Sequence, residues 1–518
     1  MLTVLFITII LYLGLNLWIG WYSKKQMSLS TEDYYMGNRS FGTFVLFCTI
    51  LGTNMSTFTM LGVAGLSYRN GIGIYALVMG GAVVGMSLFN WIFGARAWAL
   101  GKKFKYVTST EYIENRFMSP VLTTLVFIVL VMYTLPYITI GMVGAGAAFE
   151  NFSDGVIPYW LGALIVSVIV GYYIWSGGMR GTALTNLAQT LIFLAFLVIA
   201  VVWIGFKQGG PQSLLEQVRS INPDLLHRGT QPMFTWQEML SYIVLYSINL
   251  FAMPHLYTRF MTAKSAVVLR KTATLYPLGV LLTFIPACIL GFWGVALIPG
   301  LEGAAADNII FMITREYLPS WMFALAVVAL LAIVMSSMDA QTLTVASLFT
   351  NDVMKARFKI NNPLKWCRVF IVFILVASYV LCLLQPTTIF DLAVLSFTGT
   401  ASLIPVLVGA MYFRRINKQG AIASVLTSLI LVPCYFATTF FPESIIAQSI
   451  VELLPRFGFQ PIIPVLFASL TLLIIVTLLT PKQENEIADE QFKFLHSIYN
   501  QKNKKSTASI SVPNEEVV

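Results

Sequence analysis

Ser336, Ser337 and Asp339 stand together inside an apolar run from about Trp321 to Leu348. Two hydroxyls and a carboxylate form an oxygen-only ligand set, which suits a hard cation such as Na⁺ better than zinc or copper. A charged side chain near the centre of a membrane span costs roughly 2.5–3.5 kcal/mol on insertion scales, so it faces a cavity, a partner or an ion. The plainer alternative has both serines bonding to carbonyls of the preceding helical turn, with Asp339 neutral or paired, for instance with Arg180 near the inner mouth. Two further stretches put polar groups where the backbone is interrupted. Residues 49–62 read Thr-Ile-Leu-Gly-Thr-Asn-Met-Ser-Thr-Phe-Thr-Met-Leu-Gly; residues 246–258 read Tyr-Ser-Ile-Asn-Leu-Phe-Ala-Met-Pro-His-Leu-Tyr-Thr. Pro254 in the second has no N–H to give a helix. Broken backbone at membrane depth survives only where protein or a water-filled cavity satisfies it. A close-packing face built on Gly52, Gly62 and Gly65 would account for the glycines, but not for Asn54 or Pro254.

The elements that must hold these residues follow from composition. The chain has 518 residues, 57% hydrophobic and 11% charged, with a mean hydropathy of +0.78; that excludes a soluble protein. Apolar runs long enough to span a bilayer recur along it. They predict an all-α polytopic membrane protein with about thirteen transmembrane helices, roughly 2–22, 42–66, 72–100, 121–149, 156–176, 181–205, 237–257, 273–298, 321–348, 366–385, 390–413, 420–441 and 462–480. The first run lacks a basic leader and a small-residue cleavage site, and reads as a retained span. The net charge of +9 shows no basic face with interleaved aromatics, which argues against nucleic acid as a partner; the lipid bilayer is the expected surrounding. The five cysteines lie in or beside spans without paired spacing and read as apolar filler.

Charge in the loops orients the spans. Of the 32 Lys and Arg residues, about 25 fall in one alternate set of loops: Lys24 and Lys25, Lys102 to Lys105, Arg259 to Lys271, Lys355 to Arg368, Arg414 to Lys418 and the tail. The other set holds Arg69, Lys207, Arg219, Arg228, Arg315 and Arg456. The amino terminus is therefore expected outside, the carboxyl terminus in the cytoplasm, and the span number odd. In the tail, residues 482–498 are expected as a short surface helix and 500–518 as disordered. No phosphate-binding Gly-rich loop with a following Lys is present, so uphill transport would draw on an ion gradient. A membrane enzyme built on His255 and Asp339 is disfavoured, because the chain has three histidines and no metal-ligand pair. The two interruptions are five spans apart. That spacing predicts two inverted five-helix repeats, 42–205 and 237–413, each opening with a broken helix. Around them lie an extra span and inner loop (1–41), an outer loop (206–236), two further spans (414–481) and a cytoplasmic tail (482–518).

These segments resemble the sodium:solute symporter family, whose members include proline, pantothenate, monocarboxylate, sialic-acid and sugar cotransporters, over roughly residues 1–480. The resemblance rests on Glu32-Asp33-Tyr34-Tyr35-Met36-Gly37-Asn38-Arg39-Ser40, Thr110-Glu111-Tyr112 with Arg116-Phe117, and Gly177-Gly178-Met179 leading to Thr185-Asn186-Leu187-Ala188-Gln189. Pro254-His255 with Arg259-Phe260-Met261, Val334-Met335-Ser336-Ser337 and Thr398-Gly399 complete it. It implies a leucine-transporter-like inverted repeat and a sodium site made of backbone carbonyls and two hydroxyls at Gly52, Met55, Ile333, Ser336 and Ser337. One departure stands out. Where the family usually has Thr-Asp, this chain has Thr185-Asn186, while Asp339 lies one turn beyond Ser336. The negative charge is expected to have crossed the site from position 186 to 339, there to bind a second Na⁺ or a proton, or to support the first ion electrostatically.

In such a fold a solute sits between the two broken helices. The expected lining is Asn54, Phe58, Tyr75, Met79, Tyr246, Asn249, Phe251, Ser396 and Phe397, with amides for polar recognition and aromatics as gates. Ala76 and Leu395 are apolar, which disfavours a sugar. The expected activity is Na⁺-coupled symport of a small-molecule solute (an organic acid, amino acid or pantothenate-like compound) across the plasma membrane by alternating access, without an organic cofactor. A solute sensor signalling through the tail and an H⁺-coupled symporter are the alternatives.

Overall fold

The computed structural model describes residues 2–26, 31–227, 232–355, 357–358, 360–384 and 388–507. Its regular elements are helices; residues Phe41 and Ala263 form an isolated bridge. The spanning elements are α1 (Leu2–Gln26), α2 (Thr43–Asn54) with α3 (Phe58–Asn70), α4 (Gly73–Phe104), then, after a short α5 (Ser109–Phe117), α6 (Pro120–Phe152) and α7 (Tyr159–Lys207). They continue with α8 (Trp236–Ala252) and α9 (Pro254–Met261), α10 (Ala266–Leu297), α11 (Ser320–Lys355), α12 (Pro363–Leu384), α13 (Ile389–Tyr412), α14 (Lys418–Tyr435) and α15 (Ile462–Leu479). Hydrocarbon offers the backbone no partners, so each apolar run must close its hydrogen bonds internally as helix. Outer helices leave large apolar side chains exposed, among them Ile10, Leu11, Val168, Val202, Phe373 and Leu478.

Ten helices among the described residues are long and apolar enough to cross a membrane, and two bent pairs bring the number to twelve. One of the ten, α7, has 49 residues, about 73 Å of helix against a hydrocarbon core of about 30 Å. It is interrupted at Gly178, whose φ of 49° and ψ of −140° are non-helical. A Cβ there would come 2.7 Å from the Tyr34 carbonyl oxygen, so backbone conformation and close approach both require glycine. Two passes separated at Gly178 would restore the expected thirteen.

The bent pairs are the two interrupted stretches. α2 and α3 meet at 63°, α8 and α9 at 50°. At each break one methionine leaves the helix for an extended conformation: Met55 at φ −76°, ψ 129° and Met253 at φ −72°, ψ 126°. α7 and α11 pack against each other at the centre; α2, α6 and α9 lie on α11, and α1 lies on α7. The tail departs from expectation. Residues 486–507 form one helix, α16 (Glu486–Thr507), so 500–507 are helical rather than disordered. Polar contacts to the loops fix its first half: Arg414 to Asp489 at 2.5 Å, Asn485 to the carbonyls of Asn115 and Arg116, and Gln491 to the Tyr106 hydroxyl at 2.8 Å. A hydropathy period does not reveal such an anchor. Arg228 and residues 508–518 lie outside the described residues.

Candidate functional site

Ser336 and Ser337 are buried in the middle of α11. The Ser336 hydroxyl donates to the Ile333 carbonyl at 3.1 Å; that of Ser337 faces the carbonyls of Ile333 (3.4 Å) and Val334 (3.1 Å). Each hydroxyl proton is thus turned into the helix, which leaves the oxygen lone pairs available to accept. The structure therefore brings Ile333, Ser336 and Ser337 together in one turn. Gly52 and Met55 lie on the last turn and break of α2, which packs against α11. A side chain at Gly52 would press on the Thr190 hydroxyl and come 3.3 Å from the Asn186 carbonyl oxygen. The break itself is pinned by Tyr137 of α6, whose hydroxyl lies 3.4 Å from the Asn54 carbonyl and 3.1 Å from Ser56 Oγ.

Asp339 sits one turn along α11 and is fully buried. Its Oδ2 is faced by the hydroxyls of Tyr173 (3.2 Å) and Thr185 (3.3 Å). The Asn186 amide satisfies its neighbours when its nitrogen faces Asp339. It then donates to Oδ2 at 3.1 Å, while its oxygen accepts from Arg259 Nη2 (3.2 Å) and Thr53 Oγ1 (3.1 Å). The cation is Arg259, whose Nη2 stands 3.9 Å from Asp339 Oδ1, both groups buried. Arg259 also donates from Nε to Thr53 (3.2 Å) and from its Nη atoms to Thr182 (3.1 Å each). The guanidinium of α9 therefore ties α2, α7 and α11 together. The partner named from the sequence is corrected here: Arg180 pairs with Asp33 at 2.6 Å and leaves Asp339 to Arg259. The geometry also accounts for Asn186. A carboxylate at 186 would stand about 3 Å from that of Asp339, where two like charges cannot both ionise cheaply, whereas an amide can donate.

The broken helices also enclose an aromatic cluster. Phe58 lies 5.6 Å from Phe397, 6.0 Å from Phe390 and 6.3 Å from Tyr246; Tyr246 is 6.2 Å from Phe397. Tyr137 sits 5.2 Å from Phe397 and 5.9 Å from His255. Phe58, Tyr246 and Phe397 are thus brought together as expected, with Asn249 buried on the same helix as Tyr246 and its Oδ1 free of a hydrogen-bond partner. Asn54 turns to the Tyr276 hydroxyl at 2.5 Å, and Met79 is buried. Ser396 spends its hydroxyl on the Leu392 carbonyl at 2.8 Å. Two expected residues are placed elsewhere. Tyr75 is 40% exposed near the start of α4, one turn before Met79, and Phe251 packs on Phe93 (5.5 Å) and Tyr257 (5.8 Å). Helical spacing turns Phe251 away from the face that carries Tyr246 and Asn249.

Sequence reasoning missed Tyr137, Tyr276 and Phe390, and took His255 only as a disfavoured catalytic group. The structure puts His255 at the second residue of α9, beside the break, with no hydrogen-bond partner on either ring nitrogen. A polar-tipped aromatic directly after Pro136 in the middle of an apolar run was the available signal for Tyr137. On the side reached by α3, a cavity of about 410 Å³ is lined by Arg69, Tyr242, Phe390, Asp391 and Arg456 among others. Tyr242 and Phe390 close its floor by packing on Tyr246 (6.1 Å) and Phe58 (6.0 Å). A layer of aromatic rings therefore lies between this cavity, the vestibule, and the broken helices.

Known proteins match this architecture along nearly its whole length. The osmoregulated proline transporter OpuE of Bacillus subtilis is 26% identical over 90% of this chain and 95% of its own. The sodium/pantothenate symporter of Escherichia coli is 25% identical over 89% of this chain and 94% of its own. Among solved structures, a substrate-bound, outward-open Na⁺-coupled sialic acid symporter superposes with a TM-score of 0.75 at 15% identity, covering 93% of this chain and 99% of that one. MhsT in complex with L-phenylalanine superposes at 0.51 and 13% identity, covering 84% of this chain and 97% of that one; these likenesses establish the leucine-transporter-like fold. The family profile described as "Sodium:solute symporter family" matches residues 34–428, and the chain belongs to that family.

Proposed function

We propose that this protein carries a small organic acid, amino acid or pantothenate-like solute into the cell together with Na⁺, by alternating access. The observation that supports the reading is the packing of α2, which ends in the break at Met55, against α11, the helix that bears Ser336 and Ser337. In it, Na⁺ is held by carbonyls of Gly52, Met55 and Ile333 and by the two serine hydroxyls. Of the roles open to Asp339, charge support for that ion is favoured over direct ligation, because Arg259 already faces its free oxygen. The solute is met by Asn54, Phe58, Met79, Tyr246, Asn249, Ser396 and Phe397, joined by Tyr137 and His255; Tyr75 and Phe251 are left out.

A carboxylate on the solute accords with the proline and pantothenate carried by the relatives. Arg259 is already engaged, so that carboxylate would be met by Na⁺ and by free N–H groups at the starts of α3 and α9. The same reading keeps repeats 42–205 and 237–413 as the rocking halves, with the amino terminus outside and the carboxyl terminus in the cytoplasm. Na⁺ and solute are coupled because both favour the state in which the α2–α3 break is ordered. The test is uptake into proteoliposomes of proline, pantothenate, a monocarboxylate, sialic acid and glucose, each under an inward Na⁺ or choline gradient. Expected is Na⁺-driven accumulation of a carboxylate solute, with about tenfold more Na⁺ required after Ser336→Ala or Ser337→Ala. Equal uptake in choline would refute the coupling.

A further inference from the structure

The hydrogen bonds around Asp339 do not end at Asn186. They continue into α1, the span that precedes both broken helices. Gln189, one turn along α7, donates from Nε2 to the Tyr12 hydroxyl at 3.0 Å and to Asn16 Oδ1 at 3.1 Å. Asn16 in turn donates from Nδ2 to the Tyr12 carbonyl at 2.8 Å. All three side chains are buried, in a helix pair where an unpaired polar group would cost several kcal/mol.

Direction matters in this chain. Asn16 uses its nitrogen on the α1 backbone, so it presents its oxygen to Gln189. Gln189 then commits its nitrogen to α1 and presents Oε1 to Asn186, whose amide nitrogen lies 3.2 Å away. That fixes the Asn186 nitrogen toward Gln189 and Asp339, and its oxygen toward Arg259 and Thr53. Reversing Asn186 would aim its oxygen at the Asp339 carboxylate and its nitrogen at a guanidinium. α1 also presses on the other donor to Asp339, because Gly20 lies directly against Tyr173.

We propose that Tyr12 and Asn16 are positioning residues of the ion site. Acting through Gln189, they lock the Asn186 amide in the orientation that lets Asp339 and Arg259 support a cation at Ser336 and Ser337. The proposal rests on the sodium-site reading above. It makes the extra span a working part of that site, where a span that merely fills the bundle would need no polar side chain facing α7.

The test uses purified full-length protein in lipid nanodiscs and Na⁺ alone as probe. Thermal midpoints are recorded as NaCl replaces choline chloride at constant ionic strength, since a ligand that binds the folded state raises the midpoint. Asn16→Leu is expected to raise the half-effect Na⁺ concentration by about tenfold, the low end for removing an outer partner of a metal ligand. Tyr12→Phe keeps the ring in place and should raise it less, which preserves a readout if Asn16→Leu fails to fold. Leu5→Ala, a buried α1 residue away from these bonds, should lower every midpoint and leave the half-effect concentration unchanged. In an Asp339→Asn background, Asn16→Leu should add nothing to the Na⁺ response. If Asn16→Leu and Tyr12→Phe behave as Leu5→Ala does, the positioning role falls while the sodium site stands. If the wild-type protein gains no stability from Na⁺ over choline, the sodium-site reading falls and takes the proposal with it.

Discussion

The two broken helices reach nearly the same backbone geometry by different means. Met253 is extended because a proline follows it: a residue before proline is driven out of the helical region, and Pro254 then starts α9 with φ already suited to a first turn. Met55 has no proline after it. Its extension is held from outside, by the Tyr137 hydroxyl reaching both sides of the break at Asn54 and Ser56. Chain resumption differs as well: α9 follows at once after Met253, whereas at the first break both Met55 and Ser56 lie outside the helices before Thr57 resumes helical φ/ψ. The locally encoded break is the stiff one, and it delivers the Arg259 guanidinium to a fixed place. The break held by tertiary contact can change when its surroundings change, which suits the half to which the proposed function assigns the Na⁺ carbonyls.

This contrast can be broken most severely at Arg259. Arg259→Gln leaves the Asp339 carboxylate buried without its cation, a loss of about 3–5 kcal/mol for such pairs. Uptake should vanish and the thermal midpoint should drop sharply in detergent. Adding Asp339→Asn should recover most of the midpoint; no recovery would mean that Arg259 matters for its bonds to Thr53 and Thr182 rather than for charge. A smaller effect separates the breaks directly. Tyr137→Phe removes both bonds across the first break and should raise the Na⁺ requirement of uptake about fivefold, as for roughly 1 kcal/mol. Pro254→Ala should lower the maximal rate with little change in Na⁺ requirement. An equal Na⁺ shift in both variants would erase the distinction.

The smallest expected effect lies at the far end of α3, where Gly65 lies against Asp307 and Arg69 pairs with it at 3.0 Å. Burial pushes the Asp307 carboxyl up to about 6, even though Arg69 pulls it down. The folded chain therefore holds a proton that the unfolded chain has released between about pH 4 and pH 6, so this group's contribution to stability falls as pH rises through that window. Thermal midpoints of the wild type and Asp307→Asn across pH 4–7 should show this slope in the wild type and its loss in the variant. The effect is unlike that of the Arg259 pair, because Arg69 lines the cavity and is 22% exposed, so water reaches this pair from the guanidinium side.

Much of this was legible in the sequence because membranes make local patterns decisive. Apolar runs located the spans; Pro254 and the small polar residues around Asn54 located both breaks; Ser336 and Ser337 marked the helix that faces them. Phe58 and Tyr246 meet because they sit on the two elements whose broken character was visible, and Phe397 of α13 packs between them. Phe251 was misplaced by helix rotation, which hydropathy does not fix when a span is apolar on every side, and Tyr75 lies one turn nearer the exposed start of α4 than the buried Met79. Tyr137 was missed because its role depends on where α6 crosses the break.

What the sequence by itself determined was the class of molecule, the helices and the presence of a carboxylate beside two hydroxyls at membrane depth. Hydrocarbon leaves so few backbone solutions that these are nearly forced. Only the tertiary structure decided what Asp339 faces. Its neighbours Tyr173 and Thr185 come from 166 and 154 residues away, and Arg259 rather than Arg180 supplies the charge. Sequence proximity and loop charge carry no information about such meetings, because they are fixed by how α1, α2, α7, α9 and α11 pack together. The missing acid at position 186 is the clearest case. Read along the chain it is a loss, and in three dimensions the amide is the group that a carboxylate at 339 requires.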